Sequence, residues 1–510
     1  MLAPTTSISV EKDIDEIPKG DISPSLEKLS PPVQRALLSE IESRAFGWHH
    51  LKIILIAGVG FFTSAYDIFA INLAVTILGA TYYKSGSLPS NINVGLKVSG
   101  VAGVLFGQLL FGLLSDRLGR KKMYGLELLV MIIGTLGSAI AGGSYHLDMF
   151  AVIIFWRVFG GFGMGGDCPV SAVISSEWSG KASRGQLMAA VFAFQSFGLV
   201  SCAVVAVIAI LAGKSAIINS ATNLDITWRV IMGFGVVPGV LALYWRLTIP
   251  ETPRYLVEVR NQILREANGD TEARHTEQQQ RTSPTLGTFS DFCQYFRQKI
   301  PLRMLAGTSL AWFFQDIAFY GIQLNNGIIL KAIGWSSGAS VWETVYHTAV
   351  GNIIINLMGT LPGYCLAIFL IERLGRKKLQ LLGFGVCGIF LVIMGVAFNR
   401  LKEEAVAAFI VLFAIAQVFS GFVATCTFVI PGEAFPTRYR ATAHGIAAAS
   451  GKAGAIITAV AFTYLTDAIG VPNTVIFMGC INFMGFLSTL LLVETRGKSL
   501  DDLCFETEGN

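Results

Sequence analysis

Long apolar runs alternate with short polar loops along the whole chain. Twelve runs fall at roughly 51–79, 95–115, 123–142, 149–171, 186–212, 228–248, 304–330, 346–371, 379–398, 405–430, 441–466 and 473–493. Each is near the length of about 20 residues that carries an α-helix across a bilayer. The pattern predicts an all-α membrane protein of twelve transmembrane helices. Between the sixth and seventh runs, Glu251 to Arg303 is polar and holds Glu-Ala-Arg-His-Thr-Glu-Gln-Gln-Gln-Arg. Such a stretch cannot bury a core and reads as a linker between two six-helix halves. The predicted organisation is a tail at 1–50, a half at 51–250, the linker at 251–303, a half at 304–494 and a tail at 495–510.

Basic residues in the short loops set the expected orientation. Arg117, Arg120, Lys121 and Lys122 follow the second run, and Arg373, Arg376, Lys377 and Lys378 follow the eighth. Lys181 and Arg184 follow the fourth, and Arg438 and Arg440 follow the tenth. The opposite loops are poorer in Lys and Arg. These loops, and with them both termini, are expected on the cytoplasmic side. The N-terminal tail is polar and acidic and lacks the short apolar core of a signal peptide, so the first run is expected to direct insertion.

The chain also repeats itself. Asp116-Arg117-Leu118-Gly119-Arg120-Lys121-Lys122 recurs as Glu372-Arg373-Leu374-Gly375-Arg376-Lys377-Lys378, an offset of 372 − 116 = 256. Glu177 maps onto Glu433 and Arg184 onto Arg440 by the same offset. One offset in three loops, each after an even number of runs, predicts two parallel halves with a substrate site between them near the midplane.

Composition agrees with the pattern. The 510 residues are 53% hydrophobic and only 14% charged, where a soluble domain carries about a quarter charged residues. Mean hydropathy is +0.59. The 54 glycines suit closely packed helices in lipid. Eight cysteines lack CxxC spacing and mostly sit within apolar runs, as small core residues do. There is no metal-ligand spacing, no Walker loop and no Ser/His/Asp set, so no cofactor, metal, nucleic acid or enzymatic reaction is expected.

Charges within the runs are the candidate chemistry. An Asp near a helix centre costs roughly 2.5–3.5 kcal/mol on insertion scales and needs a functional or structural reason. Asp67, Asp167 and Asp316 are such residues, and Lys452 reads as the one lysine deep in a run. A buried carboxylate can exchange protons near neutral pH, which proton coupling requires; a fixed pair with Lys or Arg is the structural alternative. Arg157 is read as structural. Trp312, Asp316 and Tyr320 at i, i+4 and i+8 share one helix face, as a wet cavity binding a small polar solute demands. Lys452, among small residues, calls for an anion from protein or substrate.

The Gly112–Lys122 loop and its copy resemble the major facilitator signature. Pro250-Glu251-Thr252-Pro253-Arg254-Tyr255 and Glu494-Thr495-Arg496-Gly497 resemble the sugar-porter branch. Gly165-Gly166-Asp167-Cys168-Pro169-Val170-Ser171-Ala172 with Ser176-Glu177 resembles the signature of the fungal and plant phosphate:proton symporters. Tyr66 to Leu73, Asp316 to Gly321 and Phe428 to Glu433 are similar to the same family. The resemblance implies proton handling by Asp67 and Asp167, a phosphate site at Gln195, Trp312, Asp316 and Tyr320, and an electrostatic role for Lys452. It implies gating or structural roles for Asp116, Arg117, Arg120, Glu177, Arg184, Glu372, Arg373, Arg376, Glu433 and Arg440. Two positions depart from the pattern: Cys168 stands where the family has Tyr, and Val423-Ala424 where it has Pro-Asn. Both lost groups would bond phosphate oxygens, and a site with fewer donors holds a bare oxyanion less well.

The first expectation is therefore a symporter importing inorganic phosphate with protons. The second is a proton-coupled importer of a larger anion, such as a glycerophosphodiester or organic acid, admitted by Cys168 and Ala424. The third is a nutrient sensor that hardly transports. The partners expected are a small anion, protons and the lipid bilayer, with the protein in the plasma membrane. The sequence sets no oligomeric state, and a monomer is compatible with it.

Overall fold

The computed structural model describes residues 47–248, 251–252, 254–256, 289–335, 338, 340–500 and 502–503. The expected N-terminal tail up to residue 46, most of the linker (257–288), and the end of the C-terminal tail lie outside the described residues. Among the described residues, ten helices are long and apolar enough to cross a membrane. One of them, Arg440–Thr489, is two crossings, because its path breaks at Gly470, where φ is 80°. Lys299–Gln323 is a twelfth crossing, too rich in polar side chains to pass on apolarity alone.

Spans one to five are Trp48–Tyr82, Ser90–Leu118, Arg120–Ala139, Met149–Glu177 and Arg184–Ala212. Span six is Leu224–Gly233 continued by Val236–Thr248. Span seven is Lys299–Gln323. Span eight is Val341–Ile355, a π-helical turn Asn356–Thr360, and Leu361–Leu374. Spans nine and ten are Arg376–Val396 and Val406–Ala434. Several helices outrun the apolar run that predicted them. Span two starts at Ser90 rather than residue 95, because polar end turns still pair their backbone within the helix.

The repeat is visible in backbone conformation. Gly119, between spans two and three, has φ 98°, and Gly375, between spans eight and nine, has φ 87°. A side chain at either position would meet the left-handed penalty that only glycine escapes. Each glycine is followed by a helix start whose free amides are met by a carboxylate. Glu251 accepts from Arg120 N at 3.1 Å and Lys121 N at 3.2 Å. Glu494 accepts from Arg376 N at 2.9 Å and Lys377 N at 3.1 Å. The next residues repeat as well: the Thr252 hydroxyl donates to Glu177 at 2.6 Å, and the Thr495 hydroxyl donates to Glu433 at 2.5 Å. Burial raises the Glu251 carboxyl above the ordinary carboxylate range, while Arg120 and three backbone amides oppose it.

Large apolar side chains such as Phe106, Phe155, Ile208, Leu241, Phe369 and Val396 are exposed around the outside. On a soluble protein that would be an adhesive surface; around a helix bundle it is the face toward lipid tails. The protein is an integral membrane protein. One short helix falls within the expected linker. Phe289–Phe296 packs Tyr295 and Phe296 against Tyr439, and Asp291 accepts from the Tyr439 hydroxyl. This corrects the reading of that segment as wholly unable to bury apolar surface.

Candidate functional site: a closed cavity between the halves

With an even number of crossings, both ends of the described chain lie at one face of the bundle, called here the terminal face. A cavity of about 60 Å³ sits between the halves, lined by spans one, two, four, five, seven, eight, ten and eleven. Aromatic contacts between the halves flank it. Toward the terminal face, Phe192 of span five stacks on Phe428 of span ten at 4.5 Å, with Phe61 of span one edge-on to both. Toward the opposite face, Phe69 of span one stacks on Tyr320 of span seven at 5.5 Å.

Trp312, Asp316 and Tyr320 project from span seven into this space, as their shared helix face requires. Gln195, Lys452, Cys168, Ala424 and Asp167 complete the expected set in the cavity wall. The Lys452 ammonium meets Asp316 at 2.6 Å and lies 4.4 Å over the Tyr320 ring. Gln195 donates to the Tyr364 hydroxyl at 3.4 Å, joining span five to span eight. Lys452 is the one cationic side chain among the described residues lining the cavity.

Asp167 stands in a second cluster. Arg246 of span six donates to Glu127 of span three at 2.8 Å and forms an ion pair with Asp167 at 2.8 Å, with its guanidinium 4.3 Å from the Tyr124 ring centroid. All four side chains are buried. Two carboxylates share one guanidinium, so the group carries an excess negative charge unless it holds a proton. Asp167 borders the cavity, and Glu127 and Arg246 lie behind it. Asp67 is not in the cavity wall. It accepts from the Thr135 hydroxyl, and Arg157 donates to its backbone carbonyl at 3.4 Å. Span six breaks beside it: a Cβ on Gly235 would sit 3.0 Å from the Asp67 carboxyl carbon.

The expected gating residues form a network at the terminal face. Arg120 pairs with Asp116 at 3.3 Å and Glu177 at 3.4 Å; Arg376 pairs with Glu372 at 2.6 Å and Glu433 at 2.8 Å. Several contacts cross between the halves. Arg440 meets Glu177 at 3.0 Å, Arg120 donates to Thr437 O at 2.9 Å, and Thr442 N donates to Asp116 at 2.7 Å. Gly185 N donates to Glu372 at 2.8 Å, and Arg184 donates to Lys498 O at 3.3 Å. Arg117 and Arg373 are exposed. The contacts at the opposite face are of another kind. Asn72 donates to Gln323 O, Trp342 to Ile210 O at 3.3 Å, and Lys97 to Asn325 at 2.9 Å. Lys97 thus corrects the expectation that Lys452 is alone deep in a span.

Sequence reasoning also missed Gln108, Tyr364, Thr427 and Gln315 in the cavity wall, and Glu127 and Arg246 behind it. Neutral polar and aromatic side chains in an apolar run give no decisive signal. Glu127 and Arg246 stood near run ends, where a charge reads as a loop residue.

Two parallel six-helix halves closing on a cavity that holds a few convergent polar groups, with contacts between the halves on both sides, are the build of a membrane transporter that exposes one site to each face in turn. The chain matches the family described as "Sugar (and other) transporter" over residues 53–504 and belongs to it. It is a transporter, not an enzyme. It is 39% identical over 513 residues to the "Repressible high-affinity phosphate permease" of Neurospora crassa, covering 93% of this chain and 89% of that one. It is 38% identical to the "Inorganic phosphate transporter PHO84" of Saccharomyces cerevisiae, covering 92% and 86%. It is also 38% identical to the "Low affinity inorganic phosphate transporter 1" of Petunia hybrida, covering 90% and 93%. The fold is similar to that of the proton:xylose symporter XylE bound to 6-bromo-6-deoxy-D-glucose, with a TM-score of 0.72, 22% identity, and 89% and 98% of the two chains covered.

Proposed function

We propose that the protein imports inorganic phosphate together with protons. The observation that carries this reading is the Lys452–Asp316 pair in the wall of a closed cavity. With Asp316 ionised, Lys452 is neutralised within the protein and an entering anion finds no free charge. With Asp316 protonated, Lys452 is released, and an anion restores neutrality in a space where an unpaired charge is costly. Proton and anion therefore favour each other's binding, which is what coupling is in free-energy terms. Trp312, Tyr320, Tyr364 and Gln195 offer N–H and O–H donors on several sides, suited to an oxyanion. The phosphate permeases and transporters among the relatives support phosphate as that anion.

The Asp167–Arg246–Glu127 group is assigned to proton holding at the cavity edge. Asp67, on span one but outside the cavity wall, is assigned to the proton's path rather than to the anion. The charge network at the terminal face is assigned to gating. That face and both termini are assigned to the cytoplasm, a reading the basic loops support, and the protein is assigned to the plasma membrane. The halves are assigned to 51–250 and 304–494, a division the repeat supports, with the helix of span seven beginning a little earlier, at Lys299.

A second reading rests on Cys168 and Ala424, two small residues in the cavity wall. They leave room for a larger phosphate ester. One experiment tests both readings: the purified protein in liposomes with an imposed inward proton gradient, given labelled phosphate with and without competing glycerophosphodiester. Accumulation of phosphate that collapses with a protonophore, and that the ester barely inhibits, is the expected result. Failure to accumulate phosphate, or stronger competition by the ester than by unlabelled phosphate, overturns the first reading.

A further inference from the structure

We propose that Lys97 is an outer anion-capture site, which takes the oxyanion at the opposite face before it reaches Lys452; this rests on the anion reading above. Lys97 is buried in span two, about two helical turns above the cavity. Residues 97, 104 and 108 fall on one helix face, and Val104 and Gln108 line the cavity. Seven residues of helix make roughly 10 Å of axis, so Lys97 stands over the site on the same stripe.

Its partner is unusual for a buried ammonium. Lys452 has a carboxylate, whereas Lys97 donates to the neutral side-chain oxygen of Asn325, at 2.9 Å. No salt bridge joins Lys97 to a carboxylate among the described residues. One amide oxygen satisfies one of the three ammonium donors and none of its charge. Arg157 lies close by, donating to the carbonyls of Leu96 at 3.1 Å and Asp67 at 3.4 Å; Asp67 is its countercharge, and no salt bridge brings a carboxylate to Lys97 among the described residues. An anion is what this place lacks.

The partner also belongs to the other half. Asn325 follows span seven, five residues beyond Tyr320 of the cavity wall, and is held by its own amide donating to Gly321 O at 2.9 Å. The Lys97–Asn325 contact therefore exists only while the halves meet at this face. When they part, Asn325 withdraws with its half and the ammonium faces the opening, free to bind an oxyanion. As the anion moves inward to Lys452, Asn325 returns and the face closes behind it. The same lysine thus attracts substrate when the face is open and holds the halves together when it is shut.

The test uses the full-length protein purified into liposomes of known orientation, with labelled phosphate offered to one face at a time. Lys97→Gln keeps a hydrogen-bonding group and loses the charge. It should raise the apparent KM at the opposite face by about tenfold or more and flatten the dependence of that KM on salt. The KM from the terminal face should stay near wild type, and Lys97→Arg should restore the outer KM. Asn325→Ala removes the competitor for the ammonium, so it should leave the outer KM unchanged or lower it. If the wild type carries no phosphate, the anion reading falls and this proposal with it. If the wild type carries phosphate but Lys97→Gln leaves the outer KM unchanged, or raises KM equally from both faces, only this proposal falls. An Asn325→Ala variant that raises the outer KM as Lys97→Gln does would likewise overturn it, since the pair would then be structural.

Discussion

Replacing Lys452 with Met tests the proposed anion site most directly. The substitution keeps an unbranched side chain of similar length and removes the charge. An ammonium and a monoanion about 4 Å apart attract by about 4 kcal/mol at an effective dielectric constant near 20, or about three decades in affinity. In the unloaded protein the ammonium already sits 2.6 Å from Asp316, and losing that contact on loading returns part of the gain. Met also leaves Asp316 without its partner; by binding a proton it avoids adding repulsion to the loss. The expected rise in apparent KM for phosphate is therefore between about a hundredfold and a thousandfold. Counterflow of labelled phosphate in liposomes without a proton gradient measures it free of any change in coupling. Asp316→Asn is the informative partner variant: Lys452 keeps its charge, so phosphate exchange should persist while proton-driven accumulation is lost. A double variant with both changes reports the coupling between the two groups. If Lys452→Met exchanges phosphate with a KM within about threefold of wild type, well short of one decade, the lysine serves Asp316 alone and the anion reading of the cavity is wrong.

Three further outcomes are expected. Asp67→Asn should abolish accumulation against a gradient and spare exchange, because an amide accepts the Thr135 hydrogen bond but carries no proton; accumulation by that variant would show the carboxylate to be structural. Cys168→Tyr with Ala424→Asn should shift selectivity toward phosphate over glycerol-bearing esters by roughly tenfold or more, given about 0.5–1.5 kcal/mol for each added neutral hydrogen bond and loss of space for the ester. Unmoved selectivity in a variant of normal transport rate would remove both positions from the substrate site. Glu494→Ala leaves the first amides of span nine without their carboxylate and should destabilise the folded protein by about 1 kcal/mol, read as a lowered melting temperature in detergent; an unchanged one would show that water replaces it freely.

Much of this was legible in the sequence because a membrane span is a composition signal and a cavity-lining face is a periodicity signal. The offset of 256 residues announced the parallel halves, and its structural counterparts are the paired glycines and the paired Arg clusters. The face shared by Trp312, Asp316 and Tyr320 follows from helix geometry alone, which is why all three reach the same space. What stayed hidden depended on tertiary pairing. Arg246 meets Asp167 and Glu127 only once spans three, four and six pack together, and no local spacing encodes that. Asp67 and Asp167 look alike as lone acids in apolar runs, yet one borders the cavity and the other is walled off by Thr135, Arg157 and the break in span six. Lys97 was lost to a boundary: the apolar run begins at about residue 95, the helix begins at Ser90, and those extra turns turn an end lysine into a buried one.

The two closures of this protein are made of unlike materials, and this gives its working cycle a rhythm. At the terminal face the halves are joined by buried guanidinium and carboxylate groups, such as Arg440 with Glu177, and by amides held to Asp116 and Glu372. At the opposite face they are joined by hydrogen bonds from Asn72, Trp342 and Lys97 to neutral oxygens, by Lys214 over the Trp342 ring and by Phe69 stacked on Tyr320. Ionic partners that part into water regain the hydration they lost on burial, so the net cost of parting them depends on the salt that screens them, whereas neutral pairs are indifferent to it. The terminal closure is therefore the stroke of the cycle expected to change pace with ionic strength, and the opposite closure the one expected to ignore it.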